Sequence, residues 1–528
     1  MKSSKASQST QSSKSSKSSK SSKSSKAAKS SKAAKSSKSS STTQPTRRGD
    51  FGGLLACFLA IVNDWEKAFP QSRTYLRAVR LAVGTLVCLG RHTLSRIIWT
   101  NGRQDRDWRA EYFLFSRVKW QAVQLFTPIL KRALGWCDGR YIGVAVDDTR
   151  LRKTGKKIQQ ACYQRDPLSP KFRVNLIYAL RFIQASVLVP LFRRSKVGAR
   201  ALPIVFQEVS IVKHPRKKLP PLPPGETSRP PEQAELAAEW KQYRAEQKLH
   251  NLSTRFVDLM QALRAMFDAC GAAKKILLLA VDGSFCNRTV FTAVVQGVEL
   301  IARARRDIQL CFPAKPEAGS RRVYDTEKFT PEQVRLKASI PWKATKLFYG
   351  GKRRKVEYKE VTGVLWQGGA RKRLLRLLVV RPTRYRKNNS SRYYYRRPAY
   401  LLTTVVTGTV RQLLQIYFDR WQIEVNHREE KDTLGVGQAQ VWNFTSVPKQ
   451  PAFAVACYSA LLLASLQAFG AERGQAYAEL PKWRRRAARP SALDLITLLR
   501  KEMVEHPEMV AHLGLQPTDR KHVAAAAA

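Results

Sequence analysis

Two apolar runs, each stopping at a carboxylate, constrain this chain more than any other feature. Tyr141-Ile-Gly-Val-Ala-Val runs into Asp147, Asp148 and Thr149, and Lys275-Ile-Leu-Leu-Leu-Ala-Val runs into Asp282 and Gly283. An unbroken apolar run of this length, bounded by polar residues, reads as a strand buried on both faces, which needs helices above and below its sheet. Further strand-like runs lie at Phe172 to Leu180, Ala185 to Phe192 and Leu202 to Val212, with a helical pattern at Leu252 to Phe267. Another helix is expected around Thr289 to Val298 and another strand around Leu300 to Ile308. Strands alternating with helices predict an α/β fold with a mixed sheet flanked by helices.

Around this centre the chain divides by composition. Residues 1–49 repeat Ser-Ser-Lys and Ala-Ala-Lys, have nothing to bury and are expected to be a disordered tail. Residues 50–135 carry apolar positions at three and four spacing, through Leu54, Phe58, Ile61 and Val62 and again from Leu76 to Leu89, which predicts an N-terminal helical domain. Arg91 to Arg96, with Thr93 or Ser95 as cap, fits the start of a short helix, and basic residues beside such a pattern point to DNA binding. Residues 136–310 form the first part of the central domain. From 311 to 405, segments such as Lys355 to Leu365 and Leu374 to Val380 alternate with basic, Tyr-rich turns, so a β-rich insertion is expected there. Residues 406–475 return to helix, and 476–528 form a C-terminal helical region and tail. Ala452 to Phe469 is almost long enough to span a membrane, but its polar positions and its place after the central motif favour a buried helix.

Charge narrows the partner. The chain holds 95 Lys and Arg against 39 Asp and Glu, a net +56, and residues 1–48 account for only +13 of it. A body carrying the remaining +43 repels itself unless a polyanion screens it, and phosphate backbones are the commonest polyanion. The eight cysteines are scattered without a Cys-x-x-Cys pair, so neither a zinc finger nor a disulfide framework is expected. No secretory leader precedes the Ser/Lys repeat, which is read as a cytoplasmic, nucleoid-associated location with no membrane partner.

A third carboxylate joins the strand-end aspartates. Tyr417-Phe-Asp-Arg420-Trp-Gln-Ile-Glu424 continues to Lys431, with offsets of 3, 7 and 14 from Tyr417. At about 100° per residue these four side chains fall within roughly 60° of one helix face. One stripe then presents a carboxylate for a metal, with Arg420 and Lys431 for phosphates. Magnesium needs hard oxygen ligands, so Asp148, Asp282 and Glu424 form a sufficient set of donors. Two such ions can activate a nucleophile and stabilise the leaving oxygen of a phosphodiester.

That spacing of Tyr, Arg, Glu and Lys resembles the signature of a large group of bacterial insertion-sequence transposases of the DDE, retroviral-integrase-like superfamily. The Asp147-Asp148-Thr149 and Val281-Asp282-Gly283 motifs, with Arg303 and Arg305 downstream of the second, resemble that group's first and second aspartate regions. The resemblance spans roughly residues 85 to 470. It implies a ribonuclease H-like fold interrupted by the β-rich insertion before the catalytic glutamate. Asp148, Asp282 and Glu424 would be both catalytic and metal-binding, holding two Mg2+ ions, with Mn2+ able to substitute. Asp148, standing directly before Thr149, is the family-like first ligand, with Asp147 as the fallback. Tyr417, Arg420 and Lys431 would hold DNA, with Lys153 and Arg303 as further DNA contacts, and Trp342 or Trp366 could stack on a base. The implied partner is double-stranded DNA, both terminal inverted repeats and target, bound by a homodimer in a synaptic complex. The implied activity is cut-and-paste transposition. The alternative is a decayed or domesticated relative that binds DNA without cutting it.

Overall fold

A computed structural model of the protein describes residues 52–515, apart from 171, 194, 196, 223, 226–228, 316–320, 387–390, 482 and 484–486. The expected tail over residues 1–49 and the alanines Ala524 to Ala528 lie outside the described residues. Five helices come first: α1 (Leu54–Asn63), α2 (Ser72–Val87), α3 (Leu94–Thr100), α4 (Arg109–Ser116) and α5 (Ala122–Ala133). Strands β1 (Tyr141–Arg152), β2 (Cys162–Arg165), β3 (Leu176–Val189) and β4 (Arg200–Glu208) follow, then helices α6 (Ala234–His250) and α7 (Leu252–Ala269). Next come β5 (Ile276–Val281), α8 (Arg288–Thr292) and β6 (Val298–Arg303). The β-rich stretch holds β7 (Leu310–Pro313), β8 (Tyr324–Phe329), α9 (Pro331–Leu336), β9 (Lys343–Tyr349), β10 (Lys352–Trp366) and α10 (Gln367–Ala370). It continues with β11 (Arg371–Val380), β12 (Arg384–Tyr385), β13 (Tyr394–Tyr395) and β14 (Ala399–Thr403). Last are α11 (Val410–Asp419), α12 (Trp421–Arg428), α13 (Ser446–Phe469), α14 (Ala492–Glu505) and α15 (Glu508–Ala511).

Twelve strands share one mixed sheet, so the chain is α/β, a large mixed sheet flanked by helices. Its centre is β4-β3-β1-β5-β6: β1 and β4 run antiparallel to β3, β5 is parallel to β1, and β6 is parallel to β5. From β6 the sheet continues through β14, β11 and β10, all antiparallel. The β-rich stretch therefore extends the central sheet by hydrogen bonds and adds its β7, β8 and β9 at the far edge.

Side-chain alternation sorts the sheet's two faces. On one face Val144 and Val146 of β1 pack into a core shared with α1, α2, α5, α7 and α13. On the other, Leu278 and Ala280 of β5 meet Val410, Leu413 and Leu414 of α11, and Ala145 of β1 meets Ile423 of α12. Each large apolar side chain fully buried this way contributes roughly 1.5–3 kcal/mol, which outweighs any single polar contact nearby. Gly143 is what lets α11 approach β1, since a Cβ there would stand 2.9 Å from Ile416 Cγ2.

Helix α13 is long and apolar enough to cross a membrane by length and composition, yet every residue from Gln450 to Leu466 is buried inside the protein. It packs against α1, α2, α5 and β4, as befits a helix that is apolar all round. Thr93 caps α3 through the Arg96 amide, at 3.2 Å, as its sequence predicts. Two expected strands, Phe172 to Leu180 and Ala185 to Phe192, are one strand, β3. The polar Arg181 and Gln184 do not interrupt it, because Arg181 pairs with Asp148 and Gln184 donates to Glu430. Helix α6 carries no buried residue, so no apolar periodicity announces it.

Candidate active site

The site begins with strand register. β1 and β5 pair in parallel from Tyr141 beside Ile276 to Ala145 beside Ala280, a constant offset of 135. Continued two residues further, that offset sets Asp147, not Asp148, beside Asp282, on strands about 4.8 Å apart. Alternation gives Asp147 the face of Ala145 and Asp282 the face of Ala280, which is the face covered by α11 and α12. The same tripeptide, Ala-Val-Asp, starts at the last mutually paired residue of both strands, but β1 does not end there as its sequence predicts: it runs on to Arg152, paired with β3.

Asp148 points the other way and is consumed there. Arg181 Nε donates to its Oδ2 at 2.8 Å, and Arg150 stands 3.4 Å from the same oxygen. The first ligand expected from the resemblance, Asp148, is thus held in an arginine clamp on the opposite face, and Asp147 stands with the other two carboxylates. One residue of strand register is the physical reason.

Helices α11 and α12 bring the remaining groups. Arg420, at their junction, bridges two carboxylates: its Nη2 donates to Glu424 Oε1 at 3.0 Å and its Nη1 lies 3.5 Å from Asp147 Oδ2. Burial pushes the Asp147 carboxyl up to about 7; Arg420 pulls it down and Asp282 and Asp148 push it up. Burial raises Glu424 as well, again opposed by Arg420 and assisted by Asp282. Asp147 and Glu424 therefore each lie within electrostatic reach of Asp282 and Arg420. Asp282 also accepts from the Ser284 amide and hydroxyl, at 3.0 and 2.6 Å, which fixes its carboxylate at the head of the next turn. Burial raises the Tyr417 hydroxyl above its ordinary range, Arg420 and Arg303 lower it, and Asp282 raises it, so Arg303 belongs to the same cluster.

Lys431 is placed differently from the stripe that regular helix geometry predicts. The helix breaks at Arg420, and a π turn covers Glu429–Thr433, with Leu434 N donating to Glu429 O. This re-phases the last turn. Burial holds the Lys431 amine below the ordinary lysine range; Glu430 and Asp432 oppose this, and Arg150 and Arg152 add to it, so Lys431 stands within reach of the cations along the outer part of β1. His427 lies between these groups. Burial, followed by the charges of Lys431 and Arg420, holds its imidazole down to about 3, so it is neutral.

Lys153 is spent on structure. Its Nζ donates to Gly437 O at 2.7 Å and Ala439 O at 3.2 Å, pinning the loop after the π turn to the end of β1, and burial lowers its amine to about 8. Trp366 packs edge-on to Phe291, and Trp342 lies under Lys359 and Arg381, so both tryptophans are engaged inside the protein.

The donor chemistry of Asp147 and Asp282 on the two central strands and of Glu424 on α12 suits a hard divalent cation. Their present arrangement keeps a guanidinium between two of them, and among the described residues no group of three His, Cys, Asp or Glu is gathered closely enough to hold an ion. Arg420 is the neutralising charge in this arrangement. Compared with known proteins, the chain matches no family model and no curated protein.

Proposed function

We propose that the chain is a metal-dependent DNA strand-cutting and strand-transfer enzyme, a DDE transposase acting at the ends of a mobile element. The observation that carries this reading is that Asp147 and Asp282 each stand two residues beyond the last paired position of two parallel strands, with Glu424 linked to Asp147 through Arg420. The central strand order, β4-β3-β1-β5-β6, with β3 antiparallel to β1 and β4 and with β5 and β6 parallel to β1, supports a ribonuclease H-like core. The +56 charge supports a nucleic-acid substrate.

In this reading Asp147, Asp282 and Glu424 hold Mg2+, two ions in the full complex, with Mn2+ able to substitute. The chemistry supplied by the bound ion would be to activate a water or 3′-hydroxyl and to shield the scissile phosphate. The chain's own residues supply position. Arg420, once released from Glu424, and Tyr417 hold the phosphate beside the carboxylates. Arg303 contacts the backbone on the Asp282 side, and Lys431 with Arg150 and Arg152 contacts it on the β1 side. Arginine suits this task because its fork matches a phosphate bidentately. The remainder of the proposal is terminal inverted repeats and target DNA as substrates, and a homodimer pairing two ends.

The test is strand cleavage of labelled duplexes taken from the DNA flanking the coding sequence, with and without Mg2+. Cutting that requires the metal and is lost in Asp282→Ala is expected. Firm end binding without cutting in Mg2+ or Mn2+ would instead make the chain a binding-only relative.

A further inference from the structure

The β2–β3 hairpin carries an exposed apolar surface that neither the core nor the carboxylate site uses. Tyr163, Leu168, Phe172, Val174 and Leu176 are 73%, 86%, 92%, 59% and 62% exposed. No other stretch of the described chain displays so many large apolar side chains so openly. Strand pairing puts Tyr163 opposite Tyr178 and Arg165 opposite Leu176, so Tyr163, Arg165 and Leu176 share one face. Beyond them the tip is stiffened by Pro167 and Pro170 and closed by the Asp166 amide donating to Asn175 O at 2.8 Å. Arg152 pairs with the buried Asp166 at 3.0 Å, tying the tip to the end of β1. The hairpin thus grows directly from the strand that carries Asp147.

Cations flank the apolar residues along the chain. Lys156, Lys157, Arg165 and Arg173 are exposed, and the only carboxylate between residues 150 and 182 is Asp166, already neutralised. This pattern selects the partner. A second copy docking here by a twofold contact would set these cations against their own duplicates, and protein interface cores are depleted of lysine. A duplex wants both features, because phosphates take the cations while an apolar side chain can enter a base step and kink the helix.

We propose that this hairpin is a DNA-bending wedge, inserting Leu168 and Phe172 into a base step of duplex DNA while Arg165 and Arg173 grip the flanking phosphates. The inference rests on the DNA-acting reading above. Eight residues of β3 separate Leu176 from Gln184, the strand partner of Asp147, so the bend falls roughly 26 Å or more from the carboxylates, on the β1 side of the substrate.

The test uses the full chain and the double variant L168S/F172S on relaxed, closed-circular plasmid treated with a metal-independent topoisomerase in EDTA, where the protein's own cutting is off. Both proteins are compared at equal DNA occupancy, measured by gel shift. The native chain is expected to trap unwinding and shift the topoisomer ladder. The variant is expected to bind within about tenfold of native affinity, since phosphate contacts carry most of it, and to leave the ladder unshifted. Its thermal midpoint should be unchanged, because both residues stand clear of the core. A variant that shifts the ladder as the native chain does overturns the wedge. So does a native chain that binds without shifting it, or a native dimer that becomes monomeric in the variant, which would assign the hairpin to a second copy. A native chain that binds no DNA at all overturns the DNA-acting reading itself, a separate and distinguishable failure.

Discussion

At the residue scale, neighbouring carboxylates have opposite fates because a strand turns alternate side chains to opposite faces. Asp147→Ala should abolish metal-dependent cutting, by on the order of a thousandfold or more as removal of a catalytic group commonly does. Asp148→Ala should retain cutting but destabilise the chain by about 1–3 kcal/mol, because Arg150 and Arg181 lose their shared partner. Cleavage rates and denaturant midpoints of the two variants check this, and equal loss of cutting in both would defeat the assignment of Asp147. Glu430 offers a prediction independent of DNA. It is buried beside Gln184, and burial pushes its carboxyl up to about 8. A carboxyl raised in the fold binds its proton more tightly there than in the unfolded chain. Its stabilising effect is therefore full at pH 4 and fades as pH climbs from the ordinary glutamate range to about 8. Glu430→Gln, which keeps the acceptor for Gln184 but cannot ionise, should match the native chain near pH 4 and exceed it at pH 9, by on the order of 3 kcal/mol. Urea midpoints at those two pH values decide it, and a constant difference would refute the shift.

At the element scale, the site depends on how closely α11 and α12 are pressed onto the sheet. Gly143→Ala inserts a methyl against Ile416 and should cost about 1–3 kcal/mol by overpacking. It should also slow cutting, because Ile416 precedes Tyr417 on α11, and Ile416→Val in the same chain should recover part of both losses. A Gly143→Ala chain with native stability would show that the helix has room to spare. The loop after the π turn is held by Lys153. Replacing it with Met removes both bonds to Gly437 and Ala439, and limited proteolysis should then cut between residues 434 and 444 much sooner than in the native chain. Behind the site, the buried α13 sets the position of α12: its Tyr458 hydroxyl reaches Asn426 at 3.4 Å and also bonds Glu429. The helix that most resembles a membrane span is in this way the internal support of the site.

At the scale of the whole molecule, three clustered carboxylates and a strongly basic body predict two linked responses. Mg2+ should raise the thermal midpoint of the native chain and leave that of Asp147→Asn/Asp282→Asn unmoved, a binding readout that needs no DNA; equal shifts in both would place the ion elsewhere. Much of the molecule was legible in the amino-acid order. The apolar runs before Asp147 and Asp282, the apolar helix at Ala452 to Phe469 and the recurrence of helix and strand announce an α/β sheet between helices. They do so because burial periodicity is written residue by residue. Asp282, Arg420 and Glu424 were equally visible, as strand-end and helix-stripe residues. What the order left open depended on partners far along the chain. Parallel register with β5 is what separates Asp147 from Asp148, and a π turn is what moves Lys431 toward Arg150 and Arg152. Lys153 is drawn to carbonyls more than 280 residues away, and the β-rich stretch joins the central sheet only through β14 and β6. Local periodicity determines which residues are buried and in which kind of element. Only the tertiary structure decides which of them meet, because register and packing angle are set by contacts between segments that the sequence keeps apart.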